Sequence, residues 1–266
     1  MELWEIILYS FTQGVTEFLP ISSSAHLFIL EHLLNWSISG RSMAIAAHLG
    51  SLLAVCIYLK KDLLKIFCSF YYLKNFKKDN NIILVRNLLL ITFPILVVGL
   101  LIFKNLDKEL LSFNLIAIAS IIGAGLLYIV DNNKIEKRNI YSLSILDSLF
   151  IGLFQIFALI PGASRAGTII TAARILKLTR IESTKLGLYS GLPTILGAVM
   201  LEALWLINNL SNNQEIISII LILLLSFFFA YLSIIFLIKW LKNYTFLPFV
   251  IYRISLGIII LCFINI

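Results

Sequence analysis

The feature that most constrains the fold is a set of long, uninterrupted apolar runs. Residues 88–103, 115–130, 186–207, 216–238 and 246–266 each approach the roughly 20 residues a helix needs to cross a bilayer. Two more runs, 44–59 and 145–160, are shorter but almost free of charge. The runs are continuous rather than alternating. In hydrocarbon their backbone groups can be satisfied only within helices, which excludes barrel strands. The composition agrees: 60% of the 266 residues are hydrophobic and 13% are charged, against about a quarter charged in a soluble domain. The expectation is an all-α integral membrane protein, a polytopic helical bundle with roughly seven to eight full spans and some shorter pieces. No linker or soluble domain interrupts residues 1–266.

The net charge of +7 is distributed as a membrane protein's charge would be. Lys60, Lys61, Lys65, Lys74, Lys77, Lys78 and Arg86 fall in one loop, Lys134, Lys137 and Arg138 in another, and Lys239 and Lys242 in a third. Such clustering between apolar runs is the positive-inside pattern, so the 60–86 loop is expected on the cytoplasmic side and no nucleic-acid partner is implied. Met1-Glu2-Leu3-Trp4-Glu5 lacks a basic n-region and no small-residue cleavage site follows, which argues against a cleaved signal peptide. Cys56, Cys68 and Cys262 fit no paired or metal-type spacing and read as packing residues.

Two polar stretches break the apolar pattern. The first runs from Gln13 to His26 and holds Glu17, Pro20 and the serines Ser22, Ser23 and Ser24. Its apolar flanks, 3–11 and 27–34, are too short to span, so the stretch reads as a re-entrant hairpin whose irregular tip is buried in protein or lines a wet cavity. Gln13 and Glu17, four residues apart, share one helix face. The second stretch, 155–168, has the same grammar around Pro161, Gly162, Ser164, Arg165, Gly167 and Thr168. Placing Pro20 on Pro161 puts Ser23 on Ser164 and Ala25 on Ala166, and segments 49–55 and 192–199 lie at similar offsets. Paired interrupted helices predict an inverted-topology repeat, with halves of roughly 1–130 and 140–266 and the site at their interface.

The chemistry of these residues points to phosphate. A charged Glu17 facing lipid would cost several kcal/mol, so it either pairs with a buried cation or works in a site. Arg165, flanked by Ser164 and Gly167 at a helix start, suits an oxyanion, and its guanidinium can grip phosphate bidentately. A carboxylate, hydroxyls, an imidazole and a guanidinium form an inventory for metal-assisted phosphoryl transfer. The expected catalytic residues are Glu17, Ser23, His26 and Arg165. Gln13, Ser22, Ser24, Gly162, Ser164 and Thr168 are expected to contact substrate, and Glu17 assisted by Gln13 to hold the metal. Three nucleophiles stay open: Ser23 activated by His26, His26 itself, or a metal-activated water. Arg253 is either a second cation facing the site, or one that snorkels or pairs with Asp147 or Glu202. The competing function is a lipid-phosphate transporter or flippase, since broken helices in inverted repeats are general transporter features. A transporter needs no nucleophile or metal ligand beside its anion clamp. A purely structural scaffold fits poorly with Glu17 and Arg165 inside apolar segments.

At these residues the chain resembles the undecaprenyl-diphosphate phosphatase family, also known through bacitracin resistance. Gln13, Glu17, Pro20, Ser22, Ser23 and His26 look like its (E/Q)xxxE motif and the Pro, Ser-Ser and His that follow. Pro161, Gly162, Ser164 and Arg165 look like its PGxSRSxxT motif. The likeness continues through His48-Leu49-Gly50, Asp147, Gly152, Gln155, Ser190, Pro193, Gly197, Phe246, Pro248, Tyr252 and Arg253. The chain departs from the pattern at Ala166, where the motif has Ser, at Ile169, where it has Thr, and at Ala44, where an acidic residue is common. Thr168 lies one position early, a turn of about 100° on a helix. The resemblance implies hydrolysis of a prenyl diphosphate lipid, undecaprenyl diphosphate, to the monophosphate carrier used for peptidoglycan. It further implies Mg²⁺ or Ca²⁺ as cofactor, a bacterial plasma (inner) membrane location among membrane lipid, a site opening to the periplasm, and an inverted repeat with re-entrant helices. It leaves a homodimer open.

Overall fold

The computed structural model describes residues 2–34, 41–72, 79–103, 112–132, 137–209 and 213–263. Lys74, Lys77, Lys78 and Lys134 lie outside them, as does the Glu202 side chain. Among the described residues eleven α-helices follow one another: α1 (Leu3–Phe18), α2 (Ser23–Leu33), α3 (Arg41–Tyr58), α4 (Lys60–Tyr72), α5 (Asn80–Phe103), α6 (Phe113–Asp131), α7 (Ile145–Gln155), α8 (Arg165–Ile175), α9 (Arg180–Asn209), α10 (Asn213–Trp240) and α11 (Leu247–Phe263). No strand is present among the described residues, only a single bridge between Arg138 and Leu178.

Among the described residues, fewer helices are long and apolar enough to span a membrane unaided than the seven to eight expected. Asn80–Ile102, Phe113–Asp131 and Ile216–Trp240 are long and apolar enough to cross a membrane unaided, and α3 with α4 would add a fourth but for a 73° bend. The 30-residue α9 and 17-residue α11 complete the long elements. The apolar run at 145–160 is no span. It forms α7 and a 3-10 turn, Ile156–Leu159, that lead into the tip before α8. Both interrupted stretches turn back on themselves, so two apolar segments in each half make one hairpin instead of two crossings.

Helix packing obeys a two-fold exchange. α1 packs on α10 as α7 packs on α5, and α3 joins α10 as α9 joins α5, while α3 meets α9 and α6 meets α11. Each hairpin arm sits tightly on its long partner. A Cβ on Gly14 would lie 2.7 Å from Phe229 Cβ and 2.9 Å from the Ser226 carbonyl of α10, and one on Gly152 would lie 2.8 Å from the Leu90 carbonyl of α5. Three long helices (α3, α5 and α6) separate the hairpins, so α7–α8 enters from the face opposite α1–α2. That second face is knit by ion pairs. Asp131 at the end of α6 receives Arg180 Nε at 2.7 Å, lies 3.5 Å from Arg174 Nε, and accepts the Phe246 amide at 3.0 Å. Asp147, bound to Arg138 at 2.6 Å, and Lys60, Lys61, Lys177 and Lys239 belong to the same face. Glu2, Glu5 and Glu31 belong to the other.

Because α7 has no space for a side chain against α5, Gly152→Val should destabilise the protein by about 1–3 kcal/mol, measured as a lower unfolding midpoint in detergent. Gly125→Ala, where a Cβ meets open space, should leave the midpoint unchanged.

Candidate active site

Each hairpin tip ends on a serine in a backbone conformation that side chains rarely adopt. Ser22 (φ 73°) caps α2 and Ser164 (φ 68°) caps α8. Such geometry costs on the order of 1–3 kcal/mol per residue and persists only when its surroundings enforce it. The two serines are therefore the equivalent positions of the repeat. At the same separation Gln13 matches Gln155, Ser23 matches Arg165, and His26 matches Thr168. This corrects the proline-based register by one residue. One residue, Ile21, separates Pro20 from its cap, whereas Gly162 and Ala163 separate Pro161 from its own.

The two glutamines find their partners on matching helices, α3 and α9. Gln13 Nε2 meets His48 Nδ1 of α3 at 3.1 Å, and Gln155 Nε2 donates to Thr194 Oγ1 of α9 at 3.1 Å. In both glutamines Oε1 is buried and accepts nothing. The equivalent first residues of α2 and α8 grip one carboxylate. Ser23 Oγ donates to Glu17 Oε2 at 2.7 Å, and Arg165 Nη2 donates to Glu17 Oε1 at 2.7 Å. Gln13 Nε2 adds a third bond to Oε2 at 2.9 Å. Arg165 is further tied to the Gly191 carbonyl at 3.2 Å. Glu17 is 8% exposed, so its burial is stabilised by a charge-assisted pair and two neutral donors.

Glu17, Ser23 and Arg165 line a cavity of about 190 Å³ together with Ser22, Ser24, His48, Ala158, Ser164, Thr194, Ile195 and Ala198, while Gln13, expected to contact substrate, lies behind Glu17 and does not line it. Two helix N-termini point into it, adding their positive ends to the Arg165 guanidinium. His48 lies just inside the first half of α3, Thr194 at the midpoint of α9, and Ile195 and Ala198 just beyond it, so the cavity lies near mid-depth, displaced slightly toward the face of Glu2 and Glu5.

Several expected contacts fall elsewhere. Thr168 donates to the Arg165 carbonyl and lines a separate apolar cavity of about 480 Å³ with Ile122, Phe154 and Phe157. Gly162 is pressed against Ile116, and its carbonyl accepts from Arg253 at 3.0 Å. Neither reaches the polar cavity. His26 does not line it either: its Nδ1 binds the Ser22 carbonyl at 2.7 Å and its Nε2 meets the Tyr252 hydroxyl at 2.6 Å. The hydroxyl of Ser23 goes to Glu17, so the expected Ser23–His26 pairing is not formed. Ala166 packs among Leu19, Ile21 and Ala124, and Ile169 is fully buried, so both departures from the motif lie outside the cavity. Arg253 neither snorkels nor pairs with Asp147. It is 0% exposed and donates to the Pro20, Gly162 and Ala163 carbonyls, tying the two tips together.

His48, Thr194 and Tyr252 carried no role in the sequence reading. The two matched segments at 49–55 and 192–199 adjoin or contain the first two, and that correspondence is the signal that could have found them. For a divalent cation the donor set is hard oxygen: the Glu17 carboxylate and the orphaned Gln13 Oε1. Among the described residues no three His, Cys, Asp or Glu side chains converge. Mg²⁺ and Ca²⁺ accept one carboxylate supplemented by water and substrate phosphate, so the residues fit.

The family described as Bacitracin resistance protein BacA matches residues 6–259. The chain belongs to this family. The undecaprenyl-diphosphatase of Pelagibacter ubique (strain HTCC1062) is 38% identical over 259 residues, covering 96% of this chain and 95% of its own length. Those of Geotalea daltonii and Alteromonas mediterranea are each 35% identical, covering 100% and 99% of this chain and 99% of their own lengths. The match to BacA proteins thus spans both hairpins and the cavity between them.

Arg253→Met leaves three tip carbonyls without their donor. Each buried unsatisfied group costs about 1–3 kcal/mol, so this variant should unfold at a clearly lower midpoint in detergent and lose turnover with it.

Proposed function

We infer that the protein hydrolyses undecaprenyl diphosphate to undecaprenyl phosphate and inorganic phosphate, in keeping with its membership of the BacA family and with the activity its relatives are named for. The observation that carries the reading is the Glu17 carboxylate held between Ser23 and Arg165 at 2.7 Å each. This arrangement offers a nucleophile with its base on one side and an anion clamp on the other.

In the proposed mechanism the diphosphate enters the polar cavity and its terminal phosphate takes the Arg165 guanidinium. The amides at the α2 and α8 N-termini supply further donors for the equatorial oxygens. Ser23 Oγ attacks the terminal phosphorus as its proton passes to Glu17 Oε2. The bond to the bridging oxygen breaks, undecaprenyl phosphate leaves, and a phosphoserine remains. Glu17 gives that proton to the leaving phosphate oxygen and is a carboxylate again. It then deprotonates a water that attacks the phosphoserine phosphorus, the Oγ–phosphorus bond breaks, inorganic phosphate leaves, and Ser23 Oγ takes the proton back from Glu17. Gln13 holds Glu17 in place throughout. The Glu17 carboxylate and Gln13 Oε1 would hold Mg²⁺ or Ca²⁺, which when bound neutralises charge on the diphosphate.

The face rich in Lys60, Lys61, Lys177 and Lys239 is proposed to be cytoplasmic. The cavity, displaced slightly toward the opposite face, then serves substrate from the periplasmic side of the inner membrane. Release of the lipid carrier by such an enzyme accounts for the bacitracin resistance in the family's description.

Purified protein in detergent should release phosphate from undecaprenyl diphosphate, lose that activity to a chelator, and regain it with Mg²⁺ or Ca²⁺. Ser23→Ala should lower kcat/KM by about 10²–10⁴ while remaining folded, and Arg165→Ala should lower it by a similar factor together with the unfolding midpoint, because Glu17 loses its counter-charge. Acid quenching of the working enzyme should trap phosphate on Ser23. Bound but unhydrolysed substrate in excess metal would instead favour lipid transport. Orientation is checked separately. A single cysteine at Lys242→Cys, with Cys56, Cys68 and Cys262 replaced, should react with an impermeant maleimide only after cells are opened.

A further inference from the structure

His26 occupies a position where its ring is fully committed. The Ser22 carbonyl can only accept, so the Nδ1 that lies 2.7 Å from it carries the proton. In a neutral imidazole that leaves Nε2 as an acceptor, and Tyr252 Oη at 2.6 Å is the group that donates to it. The two ring planes are nearly parallel, at 4°. Neither nitrogen faces the cavity.

The bond to Ser22 does a specific job. Ser22 is the positive-φ cap from which α2 starts, and the first backbone bond onto its carbonyl, from the His26 amide, is long at 3.4 Å. The equivalent bond in α8, from the Thr168 amide to the Ser164 carbonyl, is 2.9 Å. In α2 the imidazole makes up for the weakened bond. The repeat-equivalent residue Thr168 also turns its side chain onto a first-turn carbonyl, that of Arg165, at 2.8 Å. A hydroxyl and an imidazole thus serve one role at matched positions, and that role is to fix the first turn that presents Ser23 or Arg165 to Glu17.

We propose that His26 is a positioning residue for Ser23, acting through the Ser22 carbonyl, and that Tyr252 locks it in the Nδ1–H tautomer. The proposal rests on the reading of Ser23 as the attacking group.

Asparagine places its amide nitrogen where histidine has Nδ1, and glutamine where it has Nε2. His26→Asn should therefore keep kcat within about threefold of the parent, while His26→Gln should lower kcat by about thirtyfold with KM little changed. Tyr252→Phe should lower kcat by a smaller factor of about three to ten. The chain has three histidines, so ¹⁵N-histidine spectra compared with those of His26→Asn identify His26 directly. They should report Nδ1–H in the parent and loss of that single tautomer in Tyr252→Phe. This arm needs no turnover, so it stands even if the phosphatase reading fails. An Nε2–H tautomer in the parent, phosphate trapped on His26, or equal inactivation of folded His26→Asn and His26→Gln would each overturn the proposal.

Discussion

Everything else in the structure depends on satisfying one carboxylate at membrane depth. An unpaired Glu17 inside this bundle would cost several kcal/mol, and its three donors come from three places in the chain. Gln13 lies one turn back on α1, Ser23 lies across the tip of the same hairpin, and Arg165 lies on the other hairpin. The charge is therefore stable only when both tips meet. The remaining devices at the interface hold that meeting in place. Two serines take positive φ so that α2 and α8 start at the carboxylate. Arg253 then binds carbonyls from both tips and closes the junction from behind.

The parts of this arrangement that follow from local pattern were legible in the sequence. Apolar runs gave helices, a proline beside serines inside such a run gave a turn-back, and Gln13 with Glu17 gave a shared helix face. The register of the repeat was not legible, because prolines are the conspicuous residues while the fold equates the capping serines. Proline fixes only its own φ, so tips of different length can each contain one. The same limit explains Thr168, Gly162 and His26. Each lies within a few residues of a cavity-lining serine, but only the first residues of α2 and α8 face the cavity. One turn further on, the side chains reach back to carbonyls of their own helix.

Contacts distant in sequence were the least legible. His26 and Tyr252 are 226 residues apart, and Arg253 reaches carbonyls 233, 91 and 90 residues away. An arginine whose partners are backbone oxygens leaves no complementary acid for a reader to find. The overestimate of spans has a related origin. Length and hydropathy describe a segment, whereas turning back midway depends on a tip stabilised by residues elsewhere, here Glu17 and Arg253.

The fold is symmetric and the chemistry is not, and the second fact follows from what the first would impose. A repeat with identical tips would bring two carboxylates or two guanidiniums together at the interface; buried like charges repel strongly, enough to force a proton onto one of two carboxylates, and a guanidinium pair has no such relief. Here the position matching Glu17 is Leu159, 39% exposed on the outside of the bundle, and the position matching Ser23 is Arg165. The scaffold thus delivers two equivalent helix starts to one point, while the sequence makes one a hydroxyl and the other a cation. A single carboxylate can bridge them. A phosphate arriving between the tips meets a nucleophile on one wall and a counter-charge on the other, an arrangement that neither half possesses alone.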